Sequence, residues 1–259
     1  MLALSEVTVV VTRPAKQAEG LCQLIENQGG TAIRFPSLEI TKPDQPEKAA
    51  AQLRQLDRFD IAIFVSSNAV EWAAQAIGKH LPQHLILVAV GKSTRRALQA
   101  QWHRPVLSPD SGSNSEAILA LPEMQKVTGR RIIIIRGQGG RELLAEQLTQ
   151  RGADVCYAEV YQRIRPKGGL SPLLAMASPS LISATSNESL QNLYDMALED
   201  STTARNWLLN QPLVVISQRT ADLAKKLGFK YPTTIASEAS NAGLLDAMIR
   251  WHSQRLTNH

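Results

Sequence analysis

Small polar side chains directly follow short runs of valine, isoleucine and leucine at several points of the chain. Thr12 comes after Val7–Val11, and Ser66 comes at the end of the run that begins with Ile61. Ser, Thr and Asn at such junctions cap the helix that follows, and the first N–H groups of that helix stay available to an anion. Because ligands of parallel sheets bind where the strands end, the pattern predicts an anion site there. Ordinary helix capping is the alternative at any single junction.

Tyr161 stands in a motif of its own, at the end of the strand predicted after a glycine-rich turn and its helix. The chain has only four tyrosines. From these residues alone, Tyr161 is predicted to lie in a linker, with its aromatic side chain packed on the surface of a domain.

The glycine-rich turn is Gly137-Gln138-Gly139-Gly140, after the predicted strand Arg131–Arg136, and Glu159 lies where an acid that binds a ribose would stand. A dinucleotide fingerprint, however, needs glycine at the position of Glu142. The chain also lacks the G-x-x-x-x-G-K-[ST] sequence that holds a nucleoside triphosphate. A nucleotide or sugar-phosphate enzyme is therefore kept as an alternative only.

The five histidines and two cysteines show no metal-binding spacing. Pro82 disfavours a helix that would bring His80 and His84 to one face. Cys22 and Cys156 belong to no C-x-x-C pair and are predicted to be small buried side chains. No G-x-S-x-G sequence precedes a helix. The sequence predicts neither a metal site nor an activated serine.

Composition and charge favour a globular protein with a small anionic ligand. The chain has 259 residues, 44% of them hydrophobic, and a formal net charge of +5. Apolar runs such as Leu85–Val90 are far shorter than the roughly 20 residues that span a bilayer. The first residues lack the basic region of a signal peptide, so a cytoplasmic location is expected. Basic residues occur only as pairs such as Arg95-Arg96, which disfavours a nucleic-acid partner.

Runs of Val, Ile and Leu alternate with segments whose apolar residues are three and four positions apart, as at Leu21 and Ile25. This alternation predicts an α/β fold with parallel sheets. Gly29-Gly30 and Gly152 are predicted to end two of the helices. The predicted strands are Val7–Val11, Thr31–Phe35, Ile61–Val65, Leu85–Val90, Ile132–Ile135, Ala153–Tyr157, Leu181–Ser183 and Leu213–Ile216.

The chain repeats itself, with matching blocks in the same order in its two halves. The matching pairs are Val10–Arg13 with Ile134–Gly137, Ile63–Asn68 with Leu181–Asn187, Val88–Thr94 with Val214–Thr220, and Asn114–Leu119 with Ser240–Leu245. Most blocks contain a buried strand, a small polar residue and the start of a helix. The repeat predicts a tandem duplication of one α/β module, with two ligand-facing rims around a shared cleft.

A set of short motifs follows one another along essentially the whole chain. They are Val11-Thr12-Arg13-Pro14 with Gln17-Ala18, Ser67-Asn68-Ala69-Val70, Val90-Gly91 with Thr94, Arg136-Gly137 with Gly139 to Leu144, Val160-Tyr161-Gln162-Arg163, and Ser217 with Arg219-Thr220. Each is weak alone, but together, on a duplicated α/β module, they resemble the uroporphyrinogen-III synthase family. Lys92 stands where that family usually has a small residue, and a solvated side chain is expected there.

The resemblance implies two similar parallel-sheet α/β domains, joined by a two-stranded connector, with a cleft between them. The first domain would be discontinuous, residues 1–36 plus 167–259; the second would be residues 40–163, and the connector crossings 36–40 and 163–167. The prolines from Pro36 to Pro46 and the stretch Arg165–Gly169 agree with these crossings. Tyr161 would stand at the connector and face the cleft.

The resemblance also implies a reaction: hydroxymethylbilane is cyclised to uroporphyrinogen III with loss of water and inversion of ring D, through a spiro intermediate. No cofactor and no metal take part. A pyrrole expels its hydroxyl group once that oxygen is protonated or hydrogen-bonded, so the enzyme needs one proton donor and a controlled geometry. Tyr161 would be that donor, because a phenol with a pKa of about 10 is protonated at neutral pH.

Substrate carboxylates would then lie on the helix N-termini of two rims. One rim is expected to hold Thr12, Arg13, Ser66, Ser67, Asn68, Ser93 and Thr94, and the other Arg136, Gly137, Gly139, Thr185, Ser186, Asn187, Arg219 and Thr220. A monomer is expected, with a transient contact to the enzyme that makes the bilane. A non-catalytic or regulatory module of the same fold is the other alternative, since a fold does not dictate a function.

Overall fold

A computed structural model describes residues 2–176 and 181–257. The chain divides into two compact units, of which the first joins both termini, Met1–Glu39 with Ile164–His259, and the second is Ile40–Arg163. The unit boundaries fall inside strands, between Glu39 and Ile40 and between Arg163 and Ile164. No helix of the described residues is long and apolar enough to cross a lipid bilayer.

The first unit is built on a five-stranded sheet in the order β10-β9-β8-β1-β2. Its pairs are all parallel, with Val10 of β1 opposite both Ile33 and Ile182. The strands are β1 Thr8–Val11, β2 Thr31–Arg34, β8 Leu181–Ala184, β9 Leu213–Val215 and β10 Thr234–Ile235. The helices are α1 Ala15–Asn27, α8 Ser171–Leu174, α9 Asn187–Asp200, α10 Thr202–Leu209, α11 Gln218–Leu227 and α12 Asn241–Thr257.

The second unit has a five-stranded sheet in the order β3-β7-β6-β4-β5. The strands are β3 Glu39–Thr41, β4 Ile61–Phe64, β5 Ile86–Ala89, β6 Arg131–Gly137 and β7 Asp154–Ile164. The helices are α2 Pro46–Leu53, α3 Ser67–Ile77, α4 Lys92–Trp102, α5 Ser115–Leu119, α6 Pro122–Gln125 and α7 Leu143–Gln150, with a 3₁₀ turn at Leu56–Arg58. The predicted α/β architecture with parallel sheets is confirmed.

The two sheets share one strand order. The order β9-β8-β1-β2 of the first sheet matches the order β5-β4-β6-β7 of the second. The matching strands β9 and β5, β8 and β4, and β1 and β6 contain residues of the matching blocks of the sequence repeat. In addition, β10 pairs with β9, and Leu107 makes a parallel bridge to Val88 of β5. Each sheet therefore combines strands from both halves of the sequence repeat: β1 and β2 lie beside β8 and β9, and β4 and β5 lie beside β6 and β7.

Strands at the sheet centres are apolar on both faces, as the continuous Val and Ile runs predict. In β6, Ile133 and Ile135 pack into one hydrophobic cluster of the second unit, while Ile132 and Ile134 pack into the cluster on the opposite face. Complete burial of each such side chain contributes about 1.5–3 kcal/mol. The position of each strand's carboxyl end is thus set by a core on both sides.

Glycine ends two helices as predicted. Gly29 after α1 and Gly152 after α7 have φ of +81° and +85°, in the left-handed region. At each, the N–H of the next residue reaches back to a carbonyl of the last turn, Gly30 to Ile25 and Ala153 to Leu148. A residue with a Cβ is strained in this conformation, which is the physical reason for glycine there.

Strand β7 is longer than the predicted Ala153–Tyr157 and extends to Ile164. It has neighbours on both sides, β6 and β3, so its backbone groups are paired beyond Tyr157. The register against β6 shifts by one residue, from Arg136 opposite Glu159 to Gly137 opposite Tyr161. Tyr161 therefore lies within a paired strand and not in a linker.

Candidate functional site

A cleft of about 370 Å³ lies at the carboxyl ends of the central strands of the second unit. Ser66 follows β4, Val90 follows β5, and Gly137 ends β6. The sequence predicted ligand-facing residues at this edge of a parallel sheet. The cleft brings together Ser66, Arg136, Gly137, Gly139 and Tyr161 among the predicted site residues.

Tyr161 is buried, with 4% of its surface exposed, yet it lines this cleft. Its hydroxyl lies 3.1 Å from Oγ of Ser66. Ser66 is the N-cap of α3, and its Oγ accepts a hydrogen bond from the N–H of Ala69 at 3.0 Å. The phenol is thus linked through a serine to the start of a helix, where the helix dipole favours negative charge.

Arg136, a predicted substrate-binding residue, is paired with two carboxylates of the protein. The side chain is buried and pairs with Glu142 at 2.9 Å and with Glu159 at 3.1 Å. Its guanidinium also lies 3.7 Å from the ring centre of Tyr157. Burial by itself lowers the pKa of Arg136, but hydrogen bonds to the two glutamates outweigh it and leave the pKa raised. The guanidinium stays charged and is neutralised by protein carboxylates.

Tyr157, whose ring lies against the guanidinium of Arg136, is half-buried and also lines the cleft. Burial raises the pKa of its phenol above the ordinary value, and the neighbouring Glu142 carboxylate adds to that shift. The interactions of Glu142 with Tyr157 and Arg136 lower the pKa of that carboxyl. Tyr157 consequently stays neutral at physiological pH, as part of the wall that supports the cleft.

Two further arginines line the cleft. The Arg141 side chain is 73% exposed and lies 3.3 Å from Glu116. An ion pair that is exposed to solvent in this way contributes little to stability. Arg163, near the end of β7, lines the same wall as Tyr161. A ligand with several carboxylates can therefore meet cationic side chains as well as N–H groups here.

Six cleft residues with polar side chains were absent from the predicted site, although the signals for some were in the sequence. Asn114 opens a repeated block and caps α5 by accepting from the N–H of Ala117 at 2.9 Å. Arg141 and Arg163 belong to motifs that carry the family resemblance. Tyr157 had no signal, because its role depends on stacking with Arg136. These six polar residues are Ser113, Asn114, Ser115, Arg141, Tyr157 and Arg163.

The remaining predicted residues of the second unit start two helices. Ser67 and Ser93 are exposed in the first turns of α3 and α4, and Asn68 is half-buried. Thr94, in contrast, is 1% exposed, so its side chain packs inside the unit and faces no ligand. The N-cap of α4 is Gly91, which has no side chain to compete for the first N–H groups.

In the first unit, the predicted junctions at β8 and β9 do begin helices. Ser186 caps α9 by accepting from the N–H of Ser189 at 3.0 Å. The hydroxyl of Thr220 is buried and donates to Oδ1 of Asn187 at 2.9 Å. This bond ties the first turns of α9 and α11 together. Thr185 is half-buried, and Arg219 is exposed at the start of α11.

Thr12 is neither a helix cap nor a surface residue, which corrects its prediction as a side chain that contacts a ligand. Its hydroxyl is completely buried and donates to the carbonyl of Ser183 at 2.7 Å. The N-cap of α1 is Pro14, which makes no side-chain cap. Because β1 lies between β2 and β8, Thr12 is enclosed by neighbouring chain and serves the fold.

Ser189 completes a buried hydroxyl network around Thr12. Its Oγ lies 3.0 Å from the hydroxyl of Thr12 and 2.8 Å from that of Ser37. We expect Ser189→Ala to lower the free energy of unfolding by about 1–3 kcal/mol, because two buried hydroxyl groups lose a partner. Urea unfolding of the variant and the wild type measures this difference in the free energy of unfolding. Ser171→Ala, at an exposed hydroxyl, is the control, and an equal effect of both changes would contradict the network's role.

Arg13 is half-buried at the end of β1 and donates from Nη1 to Oδ1 of Asn241 at 2.6 Å. Its Nε is buried without a hydrogen-bond partner, and among the described residues no carboxylate forms an ion pair with it. Burial lowers the pKa of the guanidinium. Arg13 therefore stays a predicted anion-binding residue.

The division of the candidates into two rims was wrong. Thr12 and Arg13 belong to the first unit, with Thr185, Ser186, Asn187, Arg219 and Thr220, whereas Arg136, Gly137 and Gly139 belong to the second, with Ser66. The reason is strand pairing, since β1 pairs with β8 and β6 pairs with β4. Each predicted rim mixed residues from both units.

Comparison with known proteins extends the geometric picture. The model of the family described as Uroporphyrinogen-III synthase HemD matches residues 19–246. The chain is 34% identical over 250 residues to the uroporphyrinogen-III synthase of Escherichia coli, covering 93% of this chain and 99% of that protein. It is also 34% identical over 247 residues to that of Salmonella typhimurium, covering 93% and 99%.

Solved structures share the fold. A mutant uroporphyrinogen III synthase from Thermus thermophilus aligns with a TM-score of 0.62 at 20% identity, covering 96% of this chain and 99% of that one. The enzyme from Helicobacter pylori aligns with a TM-score of 0.58 at 16% identity, covering 95% and 99%. Because the family model matches residues 19–246, which is most of this chain, the chain belongs to the uroporphyrinogen-III synthase family.

Proposed function

We propose that this protein is a cyclising lyase that converts hydroxymethylbilane to uroporphyrinogen III, with loss of water and inversion of ring D through a spiro intermediate. The observation that carries the proposal is the phenol of Tyr161, held at the cleft by Ser66. Similarity to curated uroporphyrinogen-III synthases over 93% of the chain supports the substrate and product.

Tyr161 supplies the proton in this proposal. The phenolic O–H donates to the hydroxyl group of the bilane, the C–O bond breaks, and water leaves while the pyrrole nitrogen provides the electrons. The proton released when the macrocycle closes returns to the phenolate. A neutral phenol is suited to this exchange. No step requires a metal or an organic cofactor.

Substrate carboxylates bind at helix N-termini and arginines in this proposal. Ser67 and Ser93 expose the first turns of α3 and α4, and Arg141 and Arg163 line the cleft of the second unit. Arg13 is the corresponding cation of the first unit. Each N-terminal contact contributes about 0.3–1 kcal/mol when exposed, so a substrate with many carboxylates gains from several of them.

We also propose that the two compact units are the two domains of a duplicated module, with boundaries near Glu39 and Ile164. Their common strand order supports a duplication in which each domain takes strands from both copies of the repeat. The monomeric state of the protein and its transient contact with the bilane-producing enzyme stay predictions.

The direct test is an assay with freshly prepared bilane in which the product isomers are resolved. We expect uroporphyrinogen III as the main product, above the unflipped isomer that forms without an enzyme. Formation of the unflipped isomer alone would refute the proposal and favour a non-catalytic module. Thermal stabilisation by NAD or by a nucleotide in place of the bilane would favour the nucleotide enzyme.

Ser93→Ala tests the carboxylate contacts. We expect KM to rise by about two- to fivefold, corresponding to one exposed contact at a helix N-terminus, with kcat nearly unchanged. Steady-state kinetics measures both constants. Gln101→Ala, near the other end of α4 and also exposed, is the matched control. A fall in kcat at unchanged KM would contradict a binding role for Ser93.

A further inference from the structure

Packing sets the position of the Tyr161 ring. A methyl carbon built on Gly137 would lie 2.7 Å from Cε2 and Cζ of Tyr161, closer than Cβ atoms approach in proteins. Gly137 does not have a positive φ, so this close approach, and not backbone conformation, is what requires glycine there. The N–H of Gln138 donates to the Tyr161 carbonyl at 2.7 Å. The ring and the backbone are therefore held by separate contacts.

Ser66 is held equally well. It lies two residues after the end of the buried strand β4, and its backbone is extended, with φ −165° and ψ 162°, as in other N-cap residues. Its Oγ accepts from the N–H of Ala69 at 3.0 Å, which fixes the side chain toward α3. The 3.1 Å between Ser66 Oγ and Tyr161 Oη thus joins two groups that neighbouring structure positions independently.

The two hydroxyl groups allow two arrangements of protons. If Tyr161 donates to Ser66, the phenolic proton is occupied and cannot reach a ligand. If Ser66 donates to Tyr161, the phenolic oxygen accepts and its own proton is free to turn toward the cleft. Ser66 Oγ already accepts from Ala69, and an accepted hydrogen bond strengthens a hydroxyl group as a donor. The second arrangement is the one that leaves Tyr161 able to protonate a leaving group.

We propose that Ser66 is a positioning residue, whose hydroxyl donates to Oη of Tyr161 and thereby directs the phenolic proton toward the substrate. The inference rests on the proposed function, in which Tyr161 is the proton donor. Once the proton has left, the same hydrogen bond stabilises the phenolate, since bonds to charged acceptors are stronger than those between neutral groups. The start of α3 adds to this stabilisation through its dipole.

The test compares Ser66→Ala, Ser66→Gly and Ser66→Thr in the wild-type and Tyr161→Phe backgrounds. With Tyr161 present, we expect Ser66→Ala and Ser66→Gly to lower kcat by about 10- to 100-fold, the value of one hydrogen bond to a charged group, with little change in KM. With phenylalanine at position 161, the same changes should alter kcat by less than about twofold. Ser66→Thr keeps the hydroxyl group and should restore most of kcat.

Loss of the helix cap is controlled in two ways. Glycine is a tolerated N-cap, so Ser66→Gly removes the hydroxyl group at a smaller cost in stability than Ser66→Ala. Ser201 caps α10 in the same geometry, with Oγ accepting from the N–H of Ala204 at 3.0 Å, and lies outside the candidate site. Ser201→Ala should lower the melting temperature as Ser66→Ala does and leave kcat unchanged.

Equal losses of kcat in the two backgrounds would overturn the inference, because Ser66 would then act independently of Tyr161. An effect on KM alone would overturn it as well and make Ser66 a binding residue. Failure of the proposed function has a different signature: the wild-type protein yields no uroporphyrinogen III, or Tyr161→Phe matches the wild type in rate and isomer ratio.

Discussion

Tyr161→Phe is expected to lower kcat for cyclisation by about 10²- to 10⁴-fold while turnover stays measurable. The phenol donates the proton that lets water leave, and a positioned general acid contributes a factor of this size. Residual activity is expected because the pyrrole assists expulsion of its own hydroxyl group and the binding geometry is kept. Steady-state rates with resolved isomers measure the effect, and the fraction of uroporphyrinogen III should fall less than the rate.

The control is Tyr194→Phe, a partly buried tyrosine of α9 in the first unit. Both changes remove one hydroxyl group, but only Tyr161 lies at the cleft. Stability should change little in either variant, since one hydroxyl hydrogen bond contributes about 0.5–1.5 kcal/mol. Equal rates for wild type and Tyr161→Phe would remove Tyr161 from the mechanism.

Phe64→Ala is expected to lower the free energy of unfolding of the second unit by about 3–5 kcal/mol. Phe64 is completely buried at the end of β4, with its ring centre 5.8 Å from that of Trp102. Alanine leaves a cavity directly beneath the strand end that carries Ser66. Tryptophan fluorescence during urea unfolding reports the loss, since Trp102 lies against the substituted side chain.

Ile86→Ala in β5 is the matched comparison, because that side chain is 38% exposed. Its effect should be well below that of Phe64→Ala, as less apolar surface leaves a buried environment. Under conditions in which Phe64→Ala remains folded, kcat should also fall, since displacement of β4 lengthens the contact between Ser66 and Tyr161. Wild-type stability of Phe64→Ala would contradict the assignment of this core.

The central strands β1, β4, β6 and β8 could be predicted from local pattern because each is buried on both faces. The runs at Ile61 and Leu181 reappear as β4 and β8 with shifts of a residue at most in their ends. The glycine ends of α1 and α7 follow from backbone sterics alone. The extension of β7 could not be predicted this way, because it depends on pairing with β3.

Local pattern predicts the helix caps of the candidate site but not the partners of its other side chains. Ser66 and Ser186 are helix caps as expected, since capping is a local interaction. Arg136 and Thr12 were both predicted to bind a ligand. In the structure, Arg136 lines the cleft but pairs with Glu142 and Glu159, and the buried hydroxyl of Thr12 donates to the carbonyl of Ser183. No local pattern identifies Glu159 or Ser183 as partners, because they lie 23 and 171 positions away along the chain.

Local order along the chain was sufficient for the alternation of strands and helices and for the polar junctions, because each depends on neighbouring residues. Which strands become neighbours was decided by long-range hydrogen bonding, which places β1 beside β8 and β6 beside β4. That pairing determines which candidates share a cleft and which are buried. The contact between Tyr161 and Ser66 exists for the same reason, since it joins a residue of β7 to the N-cap of α3 two positions after β4, and only the folded sheet brings these residues to one edge.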